Sequence, residues 1–225
     1  MPKTLIIQKK ITKFNKQIKV SGDKSLSIRW ILLASQATGK SKGYNLLMSE
    51  DVLATLGAIK KLGIKVKNYK GCCEILGNGI NGFKYKKNLI VNARNSGTLG
   101  RLLLGLLIKS PQKIKLIGDK SLSKRDFLRV TLPLEKFGAK FTYQTKYKLP
   151  LTIIGTPHTK GIKYLENKGS AQCKSSVMFA ALNASNTTSI KAKKSRNHSE
   201  LLFKHLKVPI KIKKTKKYDF IDINP

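Results

Sequence analysis

A helix followed by a strand is written three times in this chain. Asp51–Val66 (DVLATLGAIKKLGIKV) and Asp126–Phe141 (DFLRVTLPLEKFGAKF) each read as an amphipathic helix running into an alternating strand, and Glu200–Ile212 (ELLFKHLKVPIKI) is a weaker third copy. Leu, Val and Phe recur at three- and four-residue spacing, which places them on one helix face. Gly63 and Gly138 follow the first two helices, where a residue free to adopt the left-handed conformation is favoured. Pro209 stops the third, because it has no amide hydrogen to continue it. Upstream of each copy lies a helix that is apolar on most faces: Ser25–Gln36, Ser96–Ile108 and Ser170–Asn183. Helices without a polar face belong in a core.

The repeating unit is therefore strand, buried helix, strand, surface helix, strand, strand, with a period of about 71 to 75 residues from Ser25 to Ser96 to Ser170. One such unit cannot cover both faces of its own sheet, so three must close around one another. The expected fold is α+β, with three βαβαββ units over about residues 20–90, 91–160 and 161–225. The buried helices fill the middle, and their N-termini meet at one end. All three are read as starting at a serine.

Those N-termini carry the candidate chemistry. A helix start presents unpaired N–H groups and partial positive charge, and nearby hydroxyls and cations make it a seat for phosphate or carboxylate. This chain offers Lys24, Ser25 and Arg29; Asn95, Ser96, Gly97 and Thr98 with Arg101; and Ser170, Ala171 and Gln172 with Lys174. The stretch GDKSLS occurs twice, at 22–27 and 118–123. The first copy precedes a buried helix and the second a surface helix, so the two are separate loops rather than a duplicated site. Taken singly, each serine reads as a helix cap and each cation as a solvated charge; the anion rim rests on their convergence.

Other chemistry is thinly represented. The histidines, His158, His198 and His205, form no H-x-x-x-H pair. TGKSKG (38–43) resembles the end of a phosphate-binding loop, but Ala34 stands where its first glycine is needed. Cys72, Cys73 and Cys173 suit neither a zinc site nor a disulfide framework, which points to a reduced, cytoplasmic protein. No apolar run is long enough to span a bilayer.

The chain has 46 Lys plus Arg against 11 Asp plus Glu, a formal charge of +35. Such a balance suits a nucleic-acid partner, an anionic substrate or simply a solvated basic surface. The lysines are scattered (Lys9, Lys13, Lys19, Lys65, Lys67) and form no stripe interleaved with aromatics, so the solvated surface is the main reading. An RNA-binding protein is the competing one.

Seven motifs carry a family resemblance: SGDKSLSIR (21–29), SEDV (49–52), NSGTLGR (95–101), GDKSLSKR (118–125), LPLTIIG (149–155), SAQCKS (170–175) and SRNHSE (195–200). In order and spacing they resemble the N-terminal half of the EPSP synthases, the 3-phosphoshikimate 1-carboxyvinyltransferases. GDKS and SAQ-x-K are similar to the glyphosate-tolerant class. The resemblance implies one lobe of a two-lobed inside-out α/β barrel, three units per lobe. It implies transfer of an enolpyruvyl group from phosphoenolpyruvate to shikimate 3-phosphate, without metal or cofactor and with no membrane or nucleic-acid partner.

By position, Lys24 is the implied catalytic residue, touching both substrates. Ser25, Arg29, Ser170, Ala171, Gln172 and Ser195 are implied ligands of shikimate 3-phosphate. Asn95, Gly97, Arg125 and Gln172 are implied ligands of phosphoenolpyruvate. The family runs to roughly twice this length, and its second lobe carries an acidic base and further cations. The resemblance thus implies half an enzyme, inactive alone: a truncated product or a fragment, with a second version in which another chain supplies the missing lobe. Residues 1–19 are expected to pair with that lobe. The family commonly has Pro where Asp126 stands, Asp at Asn197 and Thr at Ser199. The related UDP-N-acetylglucosamine enolpyruvyl transferases typically read Lys-Asn where this chain has Lys24-Ser25.

Overall fold

The computed structural model describes all residues except 1–3, 5, 7, 11, 14, 70 and 225. The first unit contains α1 (Lys24–Gln36), β1 (Thr38–Tyr44), α2 (Glu50–Lys61), β2 (Lys65–Tyr69) and β3 (Cys72–Asn78). The second contains β4 (Leu89–Asn92), α3 (Gly97–Leu106), β5 (Ile114–Ile117), α4 (Lys120–Ser123), α5 (Leu128–Lys136), β6 (Lys140–Tyr143) and β7 (Leu151–Ile154). The third contains β8 (Lys163–Glu166), α6 (Ala171–Ala181), β9 (Thr188–Lys193), α7 (His198–His205), β10 (Ile210–Lys214) and β11 (Tyr218–Ile223).

Units two and three build the same sheet, ordered β4-β5-β7-β6 and β8-β9-β11-β10. In each, the first two strands run parallel and the remaining pairings are antiparallel. The second unit starts at Leu89, slightly before the boundary read from the sequence. The first unit departs from the expected pattern: among the described residues its sheet has three strands, ordered β1-β3-β2, and no strand precedes α1. The segment before α1 alternates as a strand should, yet Ile18 and Val20 are 68% and 72% exposed, so nothing receives its apolar side. The expectation that residues 1–19 pair with a second lobe falls partly outside the described residues. TGKSKG lies in β1, antiparallel to β3, and is no phosphate loop.

The all-apolar helices are buried as their composition requires. Ile28, Ile31 and Leu32 of α1, Leu102, Leu103 and Leu104 of α3, and Val177, Met178 and Phe179 of α6 all lie in one continuous core. Many lysines point outward from the sheets, among them Lys40, Lys65, Lys67, Lys191, Lys211 and Lys213, which fits a solvated basic surface. No helix among the described residues is long and apolar enough to cross a membrane.

The helix starts differ from the sequence reading in one place. Ser96 and Ser170 cap α3 and α6, accepting from Leu99 N at 3.2 Å and Cys173 N at 3.3 Å. The cap of α1 is Asp23, whose Oδ1 accepts from Leu26 N at 2.7 Å; Ser25 sits inside the first turn. A short carboxylate two residues earlier competes for the same role and wins. Asp119 caps α4 identically, through Leu122 N at 2.7 Å. Both GDKSLS copies thus form one local turn. The first runs on into a helix because IRWILL follows and is mostly buried; the second ends where the exposed Lys124, Arg125 and Asp126 follow.

Candidate anion-binding site

The starts of α1, α3 and α6 meet through hydrogen bonds, in two adjoining clusters. The first surrounds Gly97. Arg125 Nη2 donates to Asn95 Oδ1 at 3.2 Å, and Arg101 Nη1 donates to Gln172 Oε1 at 2.8 Å. The Gln172 amide nitrogen donates in turn to Thr98 Oγ1 at 3.0 Å, so both ends of that side chain are held by α3. A Cβ on Gly97 would stand 2.6 Å from Arg101 Nη1 and 3.2 Å from Arg125 Nη1, which explains the glycine between two guanidiniums. Burial lowers the pKa of Arg101, and the neighbouring Arg125 adds to this. Two cations so close favour an anion between them. Asp126, present where the family commonly has proline, accepts from Leu128 N at 2.6 Å and so serves the start of α5.

The second cluster surrounds Arg29, which is 2% exposed. Its Nε donates to Ser199 Oγ at 2.9 Å, Nη2 to Ser175 Oγ at 3.0 Å, and Nη1 to Ser25 Oγ at 2.5 Å and Ser25 O at 3.1 Å. Ser199 Oγ donates to Ser175 Oγ at 2.7 Å. One guanidinium therefore fastens α1 to α6 and α7, and it positions Ser25. Desolvation lowers the Arg29 pKa to about 10, with Glu200 opposing the fall; the group stays charged at neutral pH. Beside it Lys174 Nζ faces Glu200 Oε1 at 2.5 Å, with side chains 0% and 5% exposed. His198 Nδ1 lies 3.2 Å from Ser25 Oγ.

The residues anticipated from sequence fall out as follows. Asn95, Gly97, Arg125 and Gln172 share the first cluster, and Ser25 and Arg29 share the second. The first two turns of α6 join the two, carrying Gln172 to α3 and Ser175 to Arg29. Ala171 opens α6, and Ser170 caps it by accepting from Cys173 N. The buried Glu166 holds the turn before that cap by accepting from Ser170 N at 2.9 Å and pairing with Arg129 at 3.0 Å. Lys24 pairs with Asp51 at 3.1 Å, and its side chain is half exposed at the edge of the site. Ser195 bonds to none of these; its Oγ is buried without a partner. Sequence reasoning missed Glu166, Ser175, His198, Ser199 and Glu200, and placed Lys174 and Arg101 only as nearby cations.

Three units around buried helices whose starts share a basic rim make this a lobe of the enolpyruvyl transferase type. The family model of EPSP synthase (3-phosphoshikimate 1-carboxyvinyltransferase) matches residues 8–225. The 3-phosphoshikimate 1-carboxyvinyltransferase of Lactococcus lactis subsp. lactis (strain IL1403) is 44% identical over 186 residues, covering 82% of this chain and 43% of the relative. That of Lactococcus lactis subsp. cremoris (strain MG1363) is 43% identical over the same coverage. An EPSP synthase structure from Acinetobacter baumannii superposes with a TM-score of 0.84 at 32% identity, over 92% of this chain and 46% of that one. The chain belongs to the EPSP synthase family, and spans about half the length of the relatives it matches. Neither the RNA-binding reading nor the UDP-N-acetylglucosamine transferase reading gains support from these matches.

Proposed function

We propose that this chain is the lobe that seats shikimate 3-phosphate and forms one wall of the phosphoenolpyruvate site in enolpyruvyl transfer between them. The observation that carries this is the meeting of Asn95, Gly97, Arg125 and Gln172 with Ser25 and Arg29 across the start of α6. Both substrates are polyanions, so alignment and charge neutralisation are the main tasks. The α6 start, with Ser170, Ala171 and Gln172, takes the shikimate phosphate together with Ser25, and the unpaired Ser195 hydroxyl joins them. Arg29 acts from below, fixing Ser25. Arg125 and the Asn95–Gly97 turn take the phosphoenolpyruvate phosphate, and Gln172 lies between the two.

Lys24 is the proton donor to the methylene carbon. The attacking hydroxyl loses its proton to a base on a second lobe, giving a tetrahedral intermediate, and loss of phosphate together with one proton from its methyl group leaves the enol ether. The three free cysteines support a reducing compartment, the cytoplasm. A phosphate-release assay tests the half-site claim. The 225-residue chain should bind shikimate 3-phosphate yet release no phosphate alone, and should gain turnover when mixed with the C-terminal half of a relative. Sustained turnover by the chain alone overturns the claim, and absence of shikimate 3-phosphate binding overturns the substrate.

A further inference from the structure

Ser25 Oγ sits between two nitrogens of different character. Arg29 Nη1 can only donate, so the serine oxygen accepts from it at 2.5 Å. One hydroxyl hydrogen remains, and His198 Nδ1 lies 3.2 Å away. In the neutral Nε2–H tautomer, Nδ1 accepts and that hydrogen is spent on it. Once the imidazole is protonated, Nδ1–H must donate to Ser25 Oγ, which has a second lone pair free. The hydroxyl hydrogen is then released from the imidazole and can be donated to another acceptor.

We propose that His198 is a proton-linked binding residue of this site: its protonation redirects the Ser25 hydroxyl toward a bound phosphate and adds positive charge beside it, so phosphate binding takes up a proton. This rests on the shikimate 3-phosphate reading above. The charged surroundings are consistent with it. Asp23 and Arg29 face the ring from α1, Arg196 from the preceding loop and Glu200 from its own helix, with the Glu200 charge matched by Lys174 of α6. Partial burial and then Arg29 hold the His198 pKa below its usual value of 6.5, so the free site holds a neutral ring at neutral pH. An arriving phosphate reverses that balance. Because the bound pKa is raised above the free one, affinity is flat above the bound value. It grows as pH falls through the interval between the two, and is flat again below the free value.

The test compares affinity for shikimate 3-phosphate at about pH 6 and about pH 8 in the native chain and in His198→Gln. The ligand's own phosphate titrates identically in both, so the difference between the two proteins isolates the histidine. A bound-state rise of about one unit makes the acid-side gain several-fold larger in the native chain, the full factor of about ten being reached only below the free-state pKa. The assigned His198 Cε1–H resonance, titrated with and without ligand, should show the same rise, and it decides the matter if the variant does not fold. Equal pH dependence in both proteins, or an unmoved His198 titration while ligand binds, overturns the role of His198 and leaves the substrate reading intact. No binding at either pH overturns both.

Discussion

Lys174→Met is expected to cost about 3–5 kcal/mol of folding stability, the range for removing one member of a buried ion pair. The ammonium is fully buried, and Glu200 is its charge partner. Neither Glu200 oxygen has another hydrogen-bond partner, so the variant leaves a bare carboxylate in the core. A lowered urea midpoint with an unchanged denaturant slope registers the loss. Removing both charges tells the pair from mere packing. Lys174→Met with Glu200→Leu should recover most of the stability, because buried pairs contribute little net energy over apolar replacements of similar size. A double variant as unstable as the single one refutes this account. The pair also joins α6 to α7, and so holds the Ser170–Gln172 start against the loop bearing Ser195.

The second large effect is at Gly105. A Cβ there would stand 2.2 Å from Ser176 O and 3.3 Å from Ala180 N, both backbone atoms of α6. Backbone cannot swing aside as a side chain can, so Gly105→Ala must push α3 and α6 apart. A cost of about 1–3 kcal/mol is expected, with valine worse. The same two helices share the Gln172 bonds to Thr98 and Arg101, so affinity for phosphorylated ligand should fall along with thermal stability. Gly57→Ala in α2 is the contrasting case. Its Cβ meets open space, and alanine there should stabilise by about 0.5–1 kcal/mol through helix propensity. If Gly105→Ala and Gly57→Ala behave alike, the close helix approach is not what Gly105 is for.

The elements that could be read in advance were those written as periodicity. The three surface helices, the three all-apolar helices and the repeat joining them follow from where Leu, Ile and Val recur. The motif residues at helix starts were also visible, since caps and anion seats use a small set of residue types. The error at α1 has the same origin: Asp23 and Ser25 are both cap formers two residues apart, and only the backbone turn decides between them. The first-unit strand was expected from the repeat and the family resemblance, which cannot say whether a neighbour exists in this chain to receive it.

What could not be read was the polar layer beneath the site. Arg29 and Lys174 were legible as cations near helix starts, but among 46 basic residues no local pattern shows that these two are buried. Glu200 looks like a helix-start acid, His198 like a lone histidine, and Ser175 and Ser199 like filler. Their roles arise from contacts across more than 20 residues of chain, as with Arg29 to Ser175 and Ser199. Charge placement of that kind becomes visible only when the helices are set side by side.

The central claim is that one seat is shared by three helix starts, and amide chemical-shift mapping with shikimate 3-phosphate tests it most directly. A single saturable event is predicted, moving the amides of Ser25 to Ser27 and Ala171 to Cys173 together, with Thr98 and Leu99 of α3 following through the Gln172 bond to Thr98. Shifts spread over the outward lysines of the sheets, or confined to one helix start with the other two silent, would contradict it.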